Sequence, residues 1–340
     1  MNCNSTPRTG MPMTPVPSHS ILARQGWRGA ELAWFALALA AWFVFPDDLA
    51  IGTSVLVTVM FVLSYDLLLG FSGILSLGHT VFFGLGAFVA GWLALAGWSE
   101  PISGVLVGGL AAGLLAALAG PFILRLSGLP LLMVTLALSV LVFEAAFKAT
   151  GLTGGDDGLS GLKLSPVFGI FRWGLGARTQ YLYALVWLVV VYVLLRRITA
   201  SPFGVILQAI RENPTRMRLA GNGLLPHLTA SFAISATVAG MAGALFTQTA
   251  SFVSLGVLAV DNSIGVLTML VLGGVGSLYG ALIGAPLYML LKHFTSQWNP
   301  YYWMFVIGAL LIVVVLAGRG GAVGLLASLR RRLGGRWSAR

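Results

Sequence analysis

Apolar runs alternate with short polar or glycine-rich segments along most of this chain, at 30–45, 49–69, 80–96, 102–124, 129–148, 181–195, 226–250, 262–272, 277–294 and 301–317. A helix crosses a bilayer with about 20 apolar residues. The pattern therefore predicts an all-α polytopic membrane protein with about ten transmembrane or re-entrant helices, of which 262–272 is short. Two longer polar intervals read as an external loop (150–180) and a cytoplasmic segment (198–225). Residues 1–28, rich in Pro, Ser, Thr and Met, lack a signal-peptide core and read as a disordered cytoplasmic tail. Residues 29–320 then form the transmembrane domain, and 321–340 a basic cytoplasmic tail.

Two interruptions break the apolar pattern. The first, Asp66-Leu67-Leu68-Leu69-Gly70-Phe71-Ser72-Gly73-Ile74-Leu75-Ser76-Leu77-Gly78-His79, puts an acid, hydroxyls, glycines and a histidine between two apolar runs. Polar groups at such a position face protein or water rather than lipid. A re-entrant break lining a transport path and a plain hairpin between spans both satisfy the pattern. The second interruption, Gly273-Gly274-Val275-Gly276-Ser277-Leu278-Tyr279-Gly280, is again glycine- and serine-rich and again precedes an apolar helix. Paired interruptions in two halves point to an internal repeat with a shared central site. The expected path residues are Asp66, Ser72, Gly73, Ser76, Gly78 and His79, with Gly273, Gly274, Gly276 and Ser277 from the other half.

Composition narrows the class. The chain is 58% hydrophobic and only 9% charged, against about a quarter charged in soluble domains. Its net charge of +10 does not point to nucleic acid, because the basic residues sit in short segments between apolar runs. With both termini inside and ten crossings, fifteen of the 20 Lys and Arg fall on the cytoplasmic side, among them Arg125, Arg196, Arg197, Arg211, Arg216 and Arg218. Asp47, Asp48, Glu100, Asp156, Asp157 and Asp261 fall outside. This bias sets membrane orientation and favours anionic lipid.

Chemistry is sparse. Cys3 stands alone, so no disulfide forms within the chain. The sequence has no phosphate-binding G-x-x-x-x-G-K-[S/T] loop, no H-E-x-x-H and no G-x-S-x-G. No ATPase, hydrolase, metal site or cofactor is expected. Asp66 and His79 are the only nearby acid–base pair, and nothing beside them completes a catalytic site. The segment from Ala209 to Asn222 differs from both breaks. On one helix, Arg211, Thr215 and Arg218 share a face, while Leu207, Ile210, Met217 and Leu219 supply apolar contacts. Pro214 breaks or restarts that helix. A docking surface and a solvated loop whose arginines only enforce topology both fit.

Resemblance narrows these choices. Tyr65 to His79 with Phe82-Phe83-Gly84-Leu85-Gly86-Ala87, and Thr153-Gly154-Gly155-Asp156-Asp157-Gly158-Leu159, resemble the branched-chain amino acid ABC transporter permease family. So do Ala209-Ile210-Arg211-Glu212-Asn213, Ser235, Ala239-Gly240, Ala242-Gly243-Ala244-Leu245 and Met269 to Ser277 with Gly280 and Gly284. The similarity runs in order over about residues 30–320 and is to the longer permease subunit of the pair. It implies a transport subunit without ATPase activity, in the bacterial inner membrane with both termini cytoplasmic. The implied partners are a second permease subunit, two cytoplasmic ATPase subunits and a periplasmic or lipid-anchored solute-binding protein. Arg211, Glu212, Asn213 and Gly221 match the ATPase-docking region, and Arg216 and Arg218 are expected to join them. Pro214 stands where the family often has an acid or small residue, Arg216-Met217-Arg218 replaces small residues, and Ile74 replaces a frequent glutamine.

The expected function is inward transport of branched-chain or other apolar amino acids by a binding-protein-dependent ABC importer. Urea, short amides or aromatic acids are alternative solutes on the same fold, and a proton-driven secondary transporter is a different class. Reconstituted vesicles separate the classes: uptake is expected to require ATP and the partner subunits, whereas uptake by the isolated chain on a proton gradient alone would exclude an ABC importer.

Overall fold

Inside a bilayer, main chain outside a helix or closed sheet leaves its amides unpaired. Each apolar run accordingly folds as a helix in the computed structural model, which describes residues 29–44, 48–162, 165–166, 177–298 and 303–317. The two tails, and the centre of the external loop with Lys163 and Arg172, lie outside the described residues. The helices are α1 (Gly29–Val44), α2 (Leu49–Asp66), α3 (Thr80–Leu95), α4 (Pro101–Ile123), α5 (Leu129–Lys148) and α6 (Arg178–Ala200). Two short helices follow, α7 (Pro202–Glu212) and α8 (Pro214–Leu219), then α9 (Leu224–Ala250), α10 (Val260–Gly273), α11 (Leu278–Trp298) and α12 (Trp303–Ala317).

Five of these are long and apolar enough to cross a membrane unaided: α2 with its continuation to Phe71, α4, α5, α6 and α9. α10 and α11 pass that test only as a pair, bent by 115° across the four residues between them. α1 and α3 are shorter apolar helices. The ten apolar runs thus give ten helices, several of them shorter than a full crossing.

α2 is the central element, with 83% of its apolar window buried against 17% for α5 at the periphery. It packs against α6, α9, α10 and α11. α4 shows how sequence sets this packing. Small residues recur every four positions at Gly104, Gly108, Ala112, Ala116 and Gly120, and all are buried. Large residues recur with the same period at Leu106, Leu110, Leu114, Leu118 and Phe122, and all are exposed on the protein surface. Residues four apart lie on one helix face. The small face meets α9, as expected where no hydrophobic effect pulls helices together and close van der Waals approach must do so.

The contact is main chain against main chain. Gly240 of α9 faces Ala112 and the Gly108 carbonyl, so that a Cβ built on Gly240 would lie 2.8 Å from that oxygen. A Cβ at Gly86 of α3 would meet the Gly240 carbonyl, and one at Gly243 the Phe83 carbonyl. α3, α4 and α9 therefore interlock through glycines. Gly240→Val is expected to lower stability by about 1–3 kcal/mol through overpacking, read as thermal unfolding in detergent. Leu114→Val on the outward face is expected to change it by less than about 0.5 kcal/mol.

Candidate functional site

The first interruption is not a simple hairpin. α2 runs into a π-helical turn, Leu67–Phe71, closed by the Ser72 N–H donating to the Leu67 carbonyl at 3.3 Å. Gly73 follows at φ +72°, a left-handed conformation that glycine adopts without a Cβ penalty. The chain then turns back along α2 in irregular conformation as far as Gly78. The Tyr65 hydroxyl donates to the Ser76 carbonyl at 2.9 Å, and the Leu77 N–H donates to Thr135 Oγ1 of α5 at 3.2 Å. The His79 ring stacks on Phe61, with centroids 5.7 Å apart and planes 6° from parallel. Phe61 lies five residues before Asp66, so the stretch has re-entered the bundle before α3 begins at Thr80.

Hydroxyls from α2, α5, α9 and α10 receive this re-entrant segment and the start of α3. Ser72 Oγ lies 2.5 Å from Ser231 Oγ of α9. His79 Nε2 lies 3.0 Å from Ser64 Oγ and 3.4 Å from Ser235 Oγ of α9. Thr80 meets Ser139 of α5 and Ser263 of α10. Asp66 Oδ2, Ser76 Oγ and His79 Nδ1 are buried and make no hydrogen bond with any described residue. Ser231, Thr135, Ser139 and Ser263 were not among the residues expected from sequence, and Ser235 stood out there only as part of the family resemblance. Their signal was available, since Ser231/Ser235 and Thr135/Ser139 are hydroxyls four apart on otherwise apolar helices, which puts each pair on one face.

The two interruptions meet. Buried Asp66 accepts a hydrogen bond from the Gly276 N–H at 2.8 Å through Oδ1, joining positions 210 residues apart. A Cβ at Gly70 would lie 2.7 Å from the Gly276 nitrogen. Gly276 holds φ +80° and Gly274 φ +116°, making the tight turn between α10 and α11. Ser277 Oγ closes that turn on the Gly274 carbonyl at 3.2 Å, and Gly273 is pressed against the backbone of Gly280.

A third partner comes from α7. Its Leu207 and Ile210 are buried, which turns Arg211 toward the joint, and the Arg211 guanidinium donates to the Gly70 carbonyl. Gly70, Phe71, Gln208, Arg211, Glu212 and Gly276 line a small cavity of about 310 Å³. Pro214 restarts the helix as α8, as expected. Asn213 caps it by accepting from the Arg216 N–H at 3.0 Å, and Pro suits the first helical position because its missing N–H would have had no helical partner. Arg216 and Arg218 are exposed on α8, and Gly221 lies just beyond it at φ +79°. Arg218 also lines a larger cavity, about 900 Å³, with Ser72, Gly73, Arg125 and Arg211.

A second acid holds the same turn from the other side. Glu31 of α1 is 2% exposed; it pairs with Arg196 of α6 and accepts from the Tyr279 hydroxyl of α11. Glu31 is not among the residues expected from sequence, although an acid in the first turn of an apolar helix is itself a signal. Residues 276–279 are therefore held by two buried carboxylates, Asp66 and Glu31. Glu31→Ala removes the carboxylate shared by Arg196 and Tyr279 and is expected to cost about 3–5 kcal/mol, as for breaking a buried ion pair. Asp66→Ala leaves the Gly276 N–H without its acceptor and is expected to cost about 1–3 kcal/mol. Thermal unfolding in detergent measures both.

Comparison with known proteins identifies the family. The family model described as "Branched-chain amino acid transport system / permease component" matches residues 49–315. The high-affinity branched-chain amino acid transport system permease protein LivM of Escherichia coli (strain K12) is 28% identical over 312 residues, covering 84% of this chain and 72% of LivM. The LivM protein of Salmonella typhimurium matches over the same shares at 28% identity. A probable branched-chain amino acid transport permease protein LivM of Methanocaldococcus jannaschii is 28% identical over 103 residues, 30% of each chain. No solved structure matches. The matched region takes in both interruptions and α7–α8, and the chain belongs to the branched-chain amino acid transport permease family.

Proposed function

We propose that this chain is the membrane-spanning permease subunit of a binding-protein-dependent ABC importer that carries branched-chain or other apolar amino acids inward across the inner membrane. The family match over residues 49–315 is the observation that carries this reading. Its working arrangement pairs the chain with a second permease subunit and two cytoplasmic ATPases, with a periplasmic or lipid-anchored binding protein delivering solute. Both termini, α7 and α8 face the cytoplasm, in keeping with the arginines at 211, 216 and 218.

In this reading the re-entrant segment forms part of the path wall. Asp66, Ser76 and His79 each keep a buried polar atom without a hydrogen bond among the described residues, and such groups favour a polar solute or water over lipid. Ser72, Gly73 and Gly78 shape the segment, and Gly273, Gly274, Gly276 and Ser277 support it from the late turn. Glu212, Arg216 and Arg218 are exposed and offer charged contacts to the ATPase, with Asn213 and Gly221 fixing the ends of α8.

Two measurements test the reading. In proteoliposomes holding the four membrane and ATPase subunits with the binding protein, ATP-driven leucine uptake is expected to be competed by isoleucine and valine; competition by urea or aromatic acids instead would reassign the solute. The Arg216→Glu, Arg218→Glu double variant is expected to lose ATPase subunits several-fold faster on washing, with salt dependence reduced. Unchanged retention would remove these two arginines from the docking surface.

A further inference from the structure

α7 carries exposed charges at its end, Arg211 and Glu212, and the Arg211 side chain also reaches back to both helix breaks. Its aliphatic stem runs over Gly73, where an added Cβ would lie 2.8 Å from Arg211 Cγ. Its guanidinium reaches the Gly70 carbonyl. Nη1 also lies against Gly276, where an added Cβ would be 2.9 Å away. One side chain thus touches the backbone of the early break at two glycines and of the late break at a third. At Gly73 and Gly276 an added side chain would hold the arginine off.

We propose that Arg211 is the positioning residue that passes displacement of α7 to both helix breaks at once, by holding the Gly70 carbonyl while bearing on Gly276. The contacts are to main chain, so displacement of Arg211 moves backbone rather than a freely rotating side chain. The breaks are already joined by the Gly276 N–H on Asp66, and Arg211 lies within electrostatic reach of that carboxylate. The far end of the late turn is anchored through Tyr279 to Glu31. Movement entering at Arg211 therefore falls on the segment between a driven point and a fixed one. Arg211 differs in this from Arg216 and Arg218, whose side chains are exposed and make no hydrogen bond or ion pair with described residues.

This rests on the reading of α7–α8 as the ATPase-facing element. The test uses the full complex in proteoliposomes and compares wild type with Arg211→Lys, Arg211→Gln and Arg211→Ala. Solute uptake, ATP hydrolysis and retained ATPase are measured together. For Arg211→Ala, uptake per ATP hydrolysed is expected to fall about tenfold, the scale of losing one hydrogen bond made by a charged group, while the ATPase stays bound and hydrolysis continues. Arg211→Gln keeps the stem over Gly73 and one donor, which guards against a misfolded alanine variant; it and Arg211→Lys, which keeps charge without the planar fork, are expected to fall between wild type and Ala. Loss of the ATPase from Arg211→Ala or Arg211→Gln would make Arg211 a docking residue and overturn the proposal. An unchanged ratio of uptake to hydrolysis would also overturn it. Wild-type uptake without ATP would overturn the functional reading itself, which sets that failure apart from a failure of coupling alone.

Discussion

A peptide group removed from water must find a partner inside the protein, and at the meeting of the two breaks that partner is Asp66. The Gly276 N–H sits in a tight turn that no helix can satisfy. The Asp66 carboxylate satisfies it and in doing so joins the end of α2 to the α10–α11 turn. Most of the surrounding sequence can be understood from that bond. Gly70 and Gly276 lack side chains because the two backbones approach closely there. The π-helical turn after Asp66 adjusts the end of α2 and leads into the re-entrant segment. Glu31 steadies the same turn three residues on, through Tyr279.

Two buried acids in an apolar bundle carry a large desolvation cost, and each is placed so that partners offset it. Glu31 has a cation and a hydroxyl. Asp66 has an amide at 2.8 Å and the nearby charge of Arg211. Removing one partner of such a group is more damaging than exchanging the whole arrangement for apolar residues. This is why the joint behaves as a unit: each member is needed by the others more than it is needed for the helix on which it sits.

The sequence made the helices legible because a bilayer imposes a strong and local rule, and every apolar run from 30–45 to 301–317 became a helix. It also marked both breaks, since Asp66, Ser72, Gly73 and the Gly273–Gly276 run are conspicuous against apolar flanks. Depth was not legible. Re-entry of residues 72–79 depends on Thr135, Ser231 and Ser235 lying at the right height on other helices, and hydropathy carries no information about height. Long-range pairing was equally hidden: Glu31 and Arg196 are separated by 165 residues, and nothing near either names the other. Arg211 was expected at the ATPase-docking surface with Arg216 and Arg218, and like them it is exposed. Burial of Leu207 and Ile210 fixes the rotation of α7, which also brings the Arg211 guanidinium to the Gly70 carbonyl, a contact that nothing near Arg211 in the sequence announces.

The glycine contacts of α3, α4 and α9 have a mechanical consequence. Where a carbonyl of one helix rests on the α-carbon of another, as at Gly86, Gly240 and Gly243, the helices cannot slide without a carbonyl colliding with main chain. Those three helices consequently form a stiff plank. The re-entrant segment joins α5 in the same way: besides the hydroxyls of Thr135 and Ser231, it presses Gly78 on the Thr135 carbonyl, where an added Cβ would lie 2.5 Å from the oxygen.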